Sequence, residues 1–154
     1  MEDSDKTKGL EQEVEILLVE DNPTDLELAL HALEANHLLN RIDVARDGAE
    51  ALDYLFRRGA YTQRGGASPR VVLLDLKLPK VDGLEVLRQI RAHEATRDLP
   101  VVMMTSSHEE RDLIESYRSG ANSYIVKPVD FSQFTDAIRH VGFYWVLLNE
   151  PPIC

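Results

Sequence analysis

Apolar residues recur along the chain in short runs, and each run is followed by a segment of helical spacing. A strand covered on both faces is apolar at nearly every position, whereas a half-exposed strand alternates. By this pattern we predict five strands, over Val14–Val19, Ile42–Val44, Val71–Leu74, Leu99–Met104 and Ser123–Val126. Because amphipathic helices separate them, we expect right-handed crossovers and one parallel sheet covered on both faces, an α/β fold.

The helical segments place apolar residues three or four positions apart. Representative apolar residues of the five predicted helices are Leu26, Leu52, Leu87, Tyr117 and Phe134. We expect Thr24 or Asp25 to cap the first helix and Asp130 to cap the last, because their side chains can accept hydrogen bonds from backbone N–H groups. Gly120 is placed to end the fourth helix.

Length and composition indicate one domain of ordinary size. In the 154 residues we expect a flexible tail over 1–12, a folded domain over 13–149 and a short tail over 150–154. The one cysteine, Cys154, allows no intrachain disulfide. Since the N-terminus carries no apolar leader, we expect a cytoplasmic protein. The net charge of −10 argues against binding to nucleic acid or to an anionic membrane.

Polar residues that could take part in catalysis or binding follow four of the five predicted strands. Glu20 and Asp21 follow the first strand, Asp75 the third, Thr105 the fourth and Lys127 the fifth. The carboxyl ends of parallel strands meet at one edge of the sheet, where ligands bind in open α/β folds, so we expect these side chains to lie together. Taken singly, each also has an ordinary role as a helix cap, a turn residue or a solvated charge.

Three carboxylates at one edge repel each other, by about 4 kcal/mol for two charges about 4 Å apart at an effective dielectric near 20. Protonation or a cation relieves this repulsion. Oxygen ligands without His or Cys beside them favour Mg²⁺ over zinc. A phosphoryl group drawn to such a site can react with Asp75 as a carboxylate nucleophile, which forms an aspartyl phosphate. Lys127 and Thr105 would then stabilise the charge on the phosphoryl oxygens.

Four segments carry a resemblance to a known family: VEILLVEDNP, VVLLDLKLPKVDGLEVL, PVVMMTSS and GANSYIVKP. In their order and spacing, the chain from about Val14 to Leu148 resembles the receiver domain of two-component response regulators. The resemblance implies a flavodoxin-like (βα)5 fold with strand order 2-1-3-4-5. It also implies that the protein is no enzyme beyond its own phosphorylation and dephosphorylation at Asp75.

The resemblance further implies a role for each site residue. Asp75 accepts a phosphoryl group from a sensor histidine kinase. Asp21, Asp75 and the backbone carbonyl of Lys77 bind Mg²⁺, for which Mn²⁺ can substitute, and Glu20 contributes through water. Lys127 pairs with the acidic site and with the phosphoryl group.

Two more residues are assigned by the resemblance to a conformational switch. Thr105 turns to bond a phosphoryl oxygen, and the rotamer of Tyr124 follows it. The resemblance also implies a cis peptide at Lys127–Pro128, a rare form elsewhere. In receivers the positions of Lys77 and Ser107 tune the dephosphorylation rate, so the phosphoryl lifetime stays open here.

A narrower resemblance rests on the loop Gly59–Pro69 and on the ending GFYWVLLNEPP. Both resemble single-domain regulators that partner phytochrome-type histidine kinases. The loop is long for a compact domain, so it either contacts a partner or is a tolerated surface insertion.

The end of the last helix is apolar at six consecutive positions, Phe143–Leu148. One face can rest on the sheet, while Phe143 and Leu147, with Tyr144 beside them, would face water in a monomer. Such an exposed patch marks an interface, so we expect a homodimer with two-fold symmetry through this helix. The alternative is that the tail folds back over the patch at Pro151–Pro152.

Three functions compete for this chain. The first is a phosphorylation-dependent switch, whose output we expect through protein contacts because only residues 150–154 follow the domain. The second is a metal-dependent phosphatase with an Asp nucleophile, but such enzymes place a general acid two residues later, where this chain has Lys77. The third is a binding module that keeps the fold without phosphorylation, although such modules lose site residues that are all present here.

Overall fold

The computed structural model describes residues 14–35, 41–65, 68–106 and 115–141, and within them five strands form one sheet. All neighbouring strands pair in parallel. The order β2-β1-β3-β4-β5 confirms the predicted α/β fold and its 2-1-3-4-5 topology. The strands are β1 (Val14–Val19), β2 (Arg41–Ala45), β3 (Val71–Asp75), β4 (Val101–Thr105) and β5 (Ser123–Val126).

Helices follow the strands, as the alternating pattern predicts. They are α1 (Pro23–Ala35), α2 (Gly48–Phe56), α3 (Gly83–Ala92), a helical turn over residues 115–118 that we label α4, and α5 (Phe131–Val141). Gly120 follows α4 with a left-handed φ of 98°, which confirms its predicted place as a helix stop. Asp130 caps α5, because its carboxylate accepts from the backbone N–H of Gln133 at 2.8 Å.

The apolar core lies on both faces of the sheet, and β3 divides it. Val72 and Leu74 belong to the cluster that packs against α2 and α3, whereas Val71 and Leu73 belong to the cluster against α1 and α5. All four side chains are fully buried. Each such burial contributes about 1.5–3 kcal/mol to folding, which holds the carboxyl end of the strand, and Asp75 with it, in one place.

The first helix begins earlier than its predicted caps. Asn22 is the cap: its side-chain Oδ1 accepts from the backbone N–H of Asp25 at 2.9 Å, and its carbonyl accepts from that of Leu26 at 2.9 Å. The prediction of Thr24 or Asp25 was therefore wrong. Pro23 explains the difference, because proline fits the first helical position, where no N–H is needed.

The fourth strand begins later than predicted, at Val101 instead of Leu99. The backbone N–H of Leu99 bonds within a turn, to the carbonyl of Thr96 at 3.0 Å. Pro100 has no N–H to give to the sheet, although its carbonyl accepts from Val72 at 2.9 Å. The strand extends one residue further than predicted, through Thr105.

Gly83 sets the approach of α3 to the end of β3. A Cβ at this position would lie 2.2 Å from the carbonyl oxygen of Asp75 and 2.7 Å from that of Leu76. Its backbone N–H donates to the carbonyl of Leu76 at 3.1 Å. Any side chain here would therefore push the helix away from the strand end that carries the predicted phosphoacceptor.

The loop Gly59–Pro69 packs against α2 over its described part. Gly59–Tyr61 form a 3₁₀ turn, and the Tyr61 hydroxyl donates to Glu50. The Arg64 guanidinium lies 4.1 Å from the ring centroid of Tyr54 and donates to its backbone carbonyl. The loop therefore has its own anchors on the domain, and its predicted partner contact stays a prediction.

Several predictions fall outside the described residues. These concern Ser107, the dimer patch of Phe143, Tyr144 and Leu147, and the two tails. Within the part of the chain that the structure describes, no helix has the length and apolar character needed to cross a membrane.

Candidate functional site

Five predicted site residues meet at the carboxyl edge of the sheet. Glu20 follows β1, Asp75 and Thr105 end β3 and β4, and Lys127 follows β5. Glu20, Asp75 and Thr105 are buried, at 1%, 4% and 4% exposure, and Asp21 is partly exposed beside them. The prediction is confirmed for the carboxylates of Glu20, Asp21 and Asp75 and for the Lys127 ammonium, and it follows from the parallel topology. Thr105 ends the neighbouring strand at the same edge.

The acidic residues form a tight cluster. One carboxylate oxygen from each of Glu20, Asp21 and Asp75 lies within 4.8 Å of the others. Backbone N–H groups orient two of them: Asn22 donates to Glu20 Oε2 at 3.2 Å, and Lys77 donates to Asp75 Oδ1 at 3.3 Å. The three carboxylates therefore lie close enough together at the edge of the sheet to share one cation.

Lys127 supplies the positive charge of the site. Its Nζ lies 2.7 Å from Glu20 Oε1, 3.1 Å from Asp75 Oδ2 and 3.1 Å from Asp25 Oδ2. Only 10% of the Lys127 side chain is exposed. Because an ammonium has three N–H donors, these three carboxylates can satisfy it completely. The peptide between Lys127 and Pro128 is cis, as the resemblance implies.

The electrostatics of the site oppose ionisation of Asp75. Burial, a hydrogen bond with Glu20 and the charge of Glu20 raise the pKa of Asp75 to about 7, although Lys127 counteracts them. Burial alone would lower the pKa of Lys127, but Glu20, Asp75 and Asp25 raise it above its ordinary value. The ammonium therefore stays charged. Near neutral pH, full ionisation of the acidic cluster is unfavourable, because the pKa of Asp75 is raised to about 7.

The donor set fits a hard divalent cation. Three carboxylates from Glu20, Asp21 and Asp75 converge, and neither His nor Cys belongs to the cluster among the described residues. Oxygen ligands of this kind suit Mg²⁺ and Mn²⁺. A cation would also offset the negative charge of Glu20, which together with burial raises the pKa of Asp75. The backbone carbonyl of Lys77 remains a predicted ligand.

The two predicted switch residues lie on neighbouring strands. The Thr105 carbonyl accepts from the backbone N–H of Lys127 at 2.7 Å, which ties the end of β4 to the site. Tyr124 on β5 is 38% exposed, and its ring meets that of Tyr117 edge to face with centroids 5.9 Å apart. The aromatic ring is thus turned outward, onto the surface formed by α4 and α5.

Sequence reasoning missed Asp25 as a member of the site. It was considered only as a cap for α1, whereas its carboxylate contacts Lys127 from the first turn of that helix. The available signal was its spacing: it follows the acidic pair by one helical turn, and Asn22–Pro23 mark where that turn begins.

Comparison with known proteins agrees with this geometry. A family model of the response regulator receiver domain matches residues 16–139. The bacteriophytochrome response regulator AtBRR is 59% identical, with a TM-score of 0.82 over 90% of this chain and 99% of its own.

Two cyanobacterial regulators are also similar. Response regulator Rcp1 of Synechocystis sp. is 34% identical over 131 residues, 85% of this chain and 88% of its own. A solved structure of the Mn²⁺-bound form of Rcp1 has a TM-score of 0.70 at 33% identity, over 90% and 97% of the two chains. The phosphorylated cyanobacterial phytochrome response regulator RcpA has a TM-score of 0.71 at 36% identity, over 87% and 94%. With its sheet order, its acidic edge and these matches, the chain belongs to the response regulator receiver domain family.

Proposed function

We propose that this protein is a single-domain response regulator that accepts a phosphoryl group on Asp75 from a sensor histidine kinase. The observation that carries the proposal is the position of Asp75: a buried carboxylate at a strand end, between an acidic cluster and the Lys127 ammonium. Glu20 has the same kinds of contact as Asp75, to a backbone N–H and to Lys127, and Asp21 is partly exposed, so the choice of Asp75 among the three follows from the family resemblance.

The chemical step balances with the groups at hand. An oxygen of the Asp75 carboxylate attacks phosphorus, so a P–O bond forms as the P–N bond to the kinase imidazole breaks. The phosphorylated imidazole is protonated on its other ring nitrogen and so leaves as neutral imidazole. The Lys127 ammonium lies 3.1 Å from Asp75 Oδ2, and Thr105 ends the neighbouring strand. The ammonium and the Thr105 hydroxyl would stabilise the charge on the phosphoryl oxygens. A divalent cation held by Glu20, Asp21, Asp75 and the Lys77 carbonyl would supply further charge neutralisation when bound.

Signalling follows from a shift between two conformations. A phosphoryl dianion on Asp75 favours the state in which Thr105 turns towards it, and Tyr124 then packs behind Thr105. In the described structure Tyr124 faces the surface between α4 and α5. The shift therefore changes the surface that partners read, and output occurs through protein contacts.

The kinase we propose is of the phytochrome type. The support is the similarity to AtBRR, a bacteriophytochrome response regulator, and to RcpA, a cyanobacterial phytochrome response regulator. The loop Gly59–Pro69 and the ending GFYWVLLNEPP give independent support from the sequence.

The test is phosphotransfer from a panel of histidine kinases labelled with radioactive ATP, including phytochrome-type kinases. We expect label to pass to the wild type and to Glu94→Gln, an exposed control, fastest from a phytochrome-type kinase, and not to Asp75→Asn. If only kinases of another class transferred label to the protein, the assignment to a phytochrome-type kinase would be wrong. If no kinase labels the protein and no small phosphodonor does, the alternative holds: a receiver-fold binding module that acts without phosphorylation.

A phosphatase is disfavoured by the residue two positions after Asp75. The position that would carry the general acid holds Lys77, whose side chain is exposed. We therefore propose no substrate other than the phosphoryl group that the protein itself carries.

A further inference from the structure

Lys127 is held by three carboxylates, and one of them has no role in the reaction as proposed so far. Asp25 Oδ2 lies 3.1 Å from Lys127 Nζ, the same distance as Asp75 Oδ2. Glu20 and Asp75 belong to the acidic cluster that converges on the predicted metal position, and Asp25 does not. We propose that Asp25 is a positioning residue for phosphotransfer, which holds the Lys127 ammonium in place when the other two acids are engaged.

The reason lies in what happens to the other two contacts. A bound cation draws the charge of Glu20 and Asp75 away from Lys127 before the phosphoryl group is transferred. The attraction that holds the ammonium in the resting site is then reduced on two of its three sides until the phosphoryl oxygens arrive. Asp25 lies outside the cluster, so a cation bound there does not engage it, and it retains the ammonium beside the reacting oxygens.

Asp25 is itself well placed for this task. It lies in the first turn of α1, and the Asn22 side chain accepts a hydrogen bond from its backbone N–H at 2.9 Å. Its side chain is 33% exposed, so it can turn with little steric cost, whereas Lys127 is almost enclosed. The contact joins the loop after β5 to the start of α1, two segments 102 positions apart in the chain.

An ordinary role competes with this one. An acid in the first turn of a helix interacts favourably with the helix dipole, whatever else it touches. That role would affect the stability of α1 but not the position of Lys127. The two roles are separated by a measurement on Lys127 itself, and Glu27, an exposed acid beyond the first turn of the same helix, controls for the loss of a surface charge.

The experiment measures phosphorylation by acetyl phosphate and Mg²⁺ through intact-mass time courses of the full chain. The variants are Asp25→Asn, which removes the charge, Asp25→Glu, which restores it, and Glu27→Gln as the matched control. We expect Asp25→Asn to react about threefold to tenfold more slowly, a size suited to one partly exposed charged contact. Asp25→Glu should recover most of the rate, and Glu27→Gln should equal the wild type.

A second readout reports on Lys127 directly. The ¹⁵N resonance of its Nζ, measured in the metal-free protein and again with Mg²⁺ and beryllofluoride, should be sharp in the wild type and in Glu27→Gln. In Asp25→Asn it should broaden or shift, most of all with Mg²⁺ and beryllofluoride. Circular dichroism checks that each variant is folded, and Asp25→Glu carries the test should Asp25→Asn be unfolded.

The inference rests on the proposed function, and the outcomes keep the two apart. If the wild type itself takes up no phosphoryl group, the proposed function fails. If the wild type reacts and Asp25→Asn reacts as fast or faster, the positioning role is wrong. It is also wrong if Asp25→Asn is slow but Asp25→Glu restores nothing and the Lys127 resonance is unchanged, because α1 stability then explains the loss.

Discussion

The ammonium of Lys127 lies 3.1 Å from the carboxylate of Asp75, although the two residues end different parts of the sheet. This contact offsets only part of the cost of a buried acid, because Glu20 adds a second negative charge at the same place. A proton, a cation or a phosphoryl group bound at the site would therefore each change its net charge and with it the stability of the folded protein.

Removal of Asp21 should abolish metal binding while the domain stays folded. Asp21→Ala deletes one ligand of the acidic cluster and also one repelling charge, so we expect the metal-free variant to be slightly more stable than the wild type. Titration with Mg²⁺ or Mn²⁺, followed by calorimetry and thermal unfolding, measures both effects. Glu94→Gln, an exposed acid remote from the cluster in sequence, serves as the control. Undiminished phosphorylation in excess chelator would contradict the metal role.

The stability of the metal-free protein should fall as the pH rises from about 4 to about 7. The pKa of Asp75 is raised to about 7 in the folded protein, whereas an unfolded Asp titrates near 4. Across this window the folded state therefore holds a proton that the unfolded state has lost, so the free energy of unfolding falls as the pH rises. Above pH 7 the full cost of ionising Asp75 in the folded protein is present.

Asp75→Asn removes this dependence. We expect the variant to exceed the wild type in free energy of unfolding by about 2–4 kcal/mol at pH 8, and by little at pH 4. Urea unfolding with chelator at both pH values measures the difference. A difference between the two proteins that does not change with pH would show that the pKa of Asp75 is ordinary.

The hydroxyl of Thr105 should couple phosphorylation to Tyr124. Thr105→Ala should still be phosphorylated, because Asp75 and Lys127 are intact, but Tyr124 should stay exposed, as it is at 38% in the described structure. Ring resonances of Tyr124 before and after beryllofluoride report this burial, and Thr105→Ser is the control that keeps the hydroxyl. If the Tyr124 ring resonances changed equally in Thr105→Ala and in the wild type, the coupling through the Thr105 hydroxyl would be wrong.

A homodimer through the end of the last helix remains a prediction from the sequence, since its residues lie outside the described part. Phe143→Asp should dissociate the dimer, because the charge would be buried against its symmetry mate. Sedimentation equilibrium at micromolar concentration measures this for the wild type and the variant. A wild type that sediments as a 17.4 kDa monomer, phosphorylated or not, would rule the dimer out.

The parallel sheet and the edge that carries the main site could be predicted from periodicity, whereas the strand order 2-1-3-4-5 was implied by the family resemblance. Buried runs that alternate with helices dictate a parallel sheet, and a parallel sheet brings Asp75 and Lys127 to one edge whatever the loops do. The local details were harder. Several polar residues near the start of the first helix can act as a cap. Asn22 is the cap because Pro23 takes the first helical position.

The spacing of Asp25 from the acidic pair places it near the site, but spacing does not give its contact with Lys127, which joins residues 102 positions apart and depends on side-chain rotamers. Likewise the packing of Arg64 on the ring of Tyr54 leaves no periodic signal in a loop. Sequence patterns thus predict the edge of the sheet at which chemistry occurs, whereas the contact partners of each charged side chain are known only from the three-dimensional structure.

The central claim is that Asp75 alone accepts the phosphoryl group. The most direct test is intact mass after treatment with acetyl phosphate and Mg²⁺, on the wild type and on Asp75→Asn side by side. We expect the wild type to gain one phosphoryl group, which hydroxylamine removes, and Asp75→Asn to gain none while its far-UV circular dichroism stays that of the wild type. A phosphoryl group that still adds to Asp75→Asn, or a wild type that never gains one, would contradict the account.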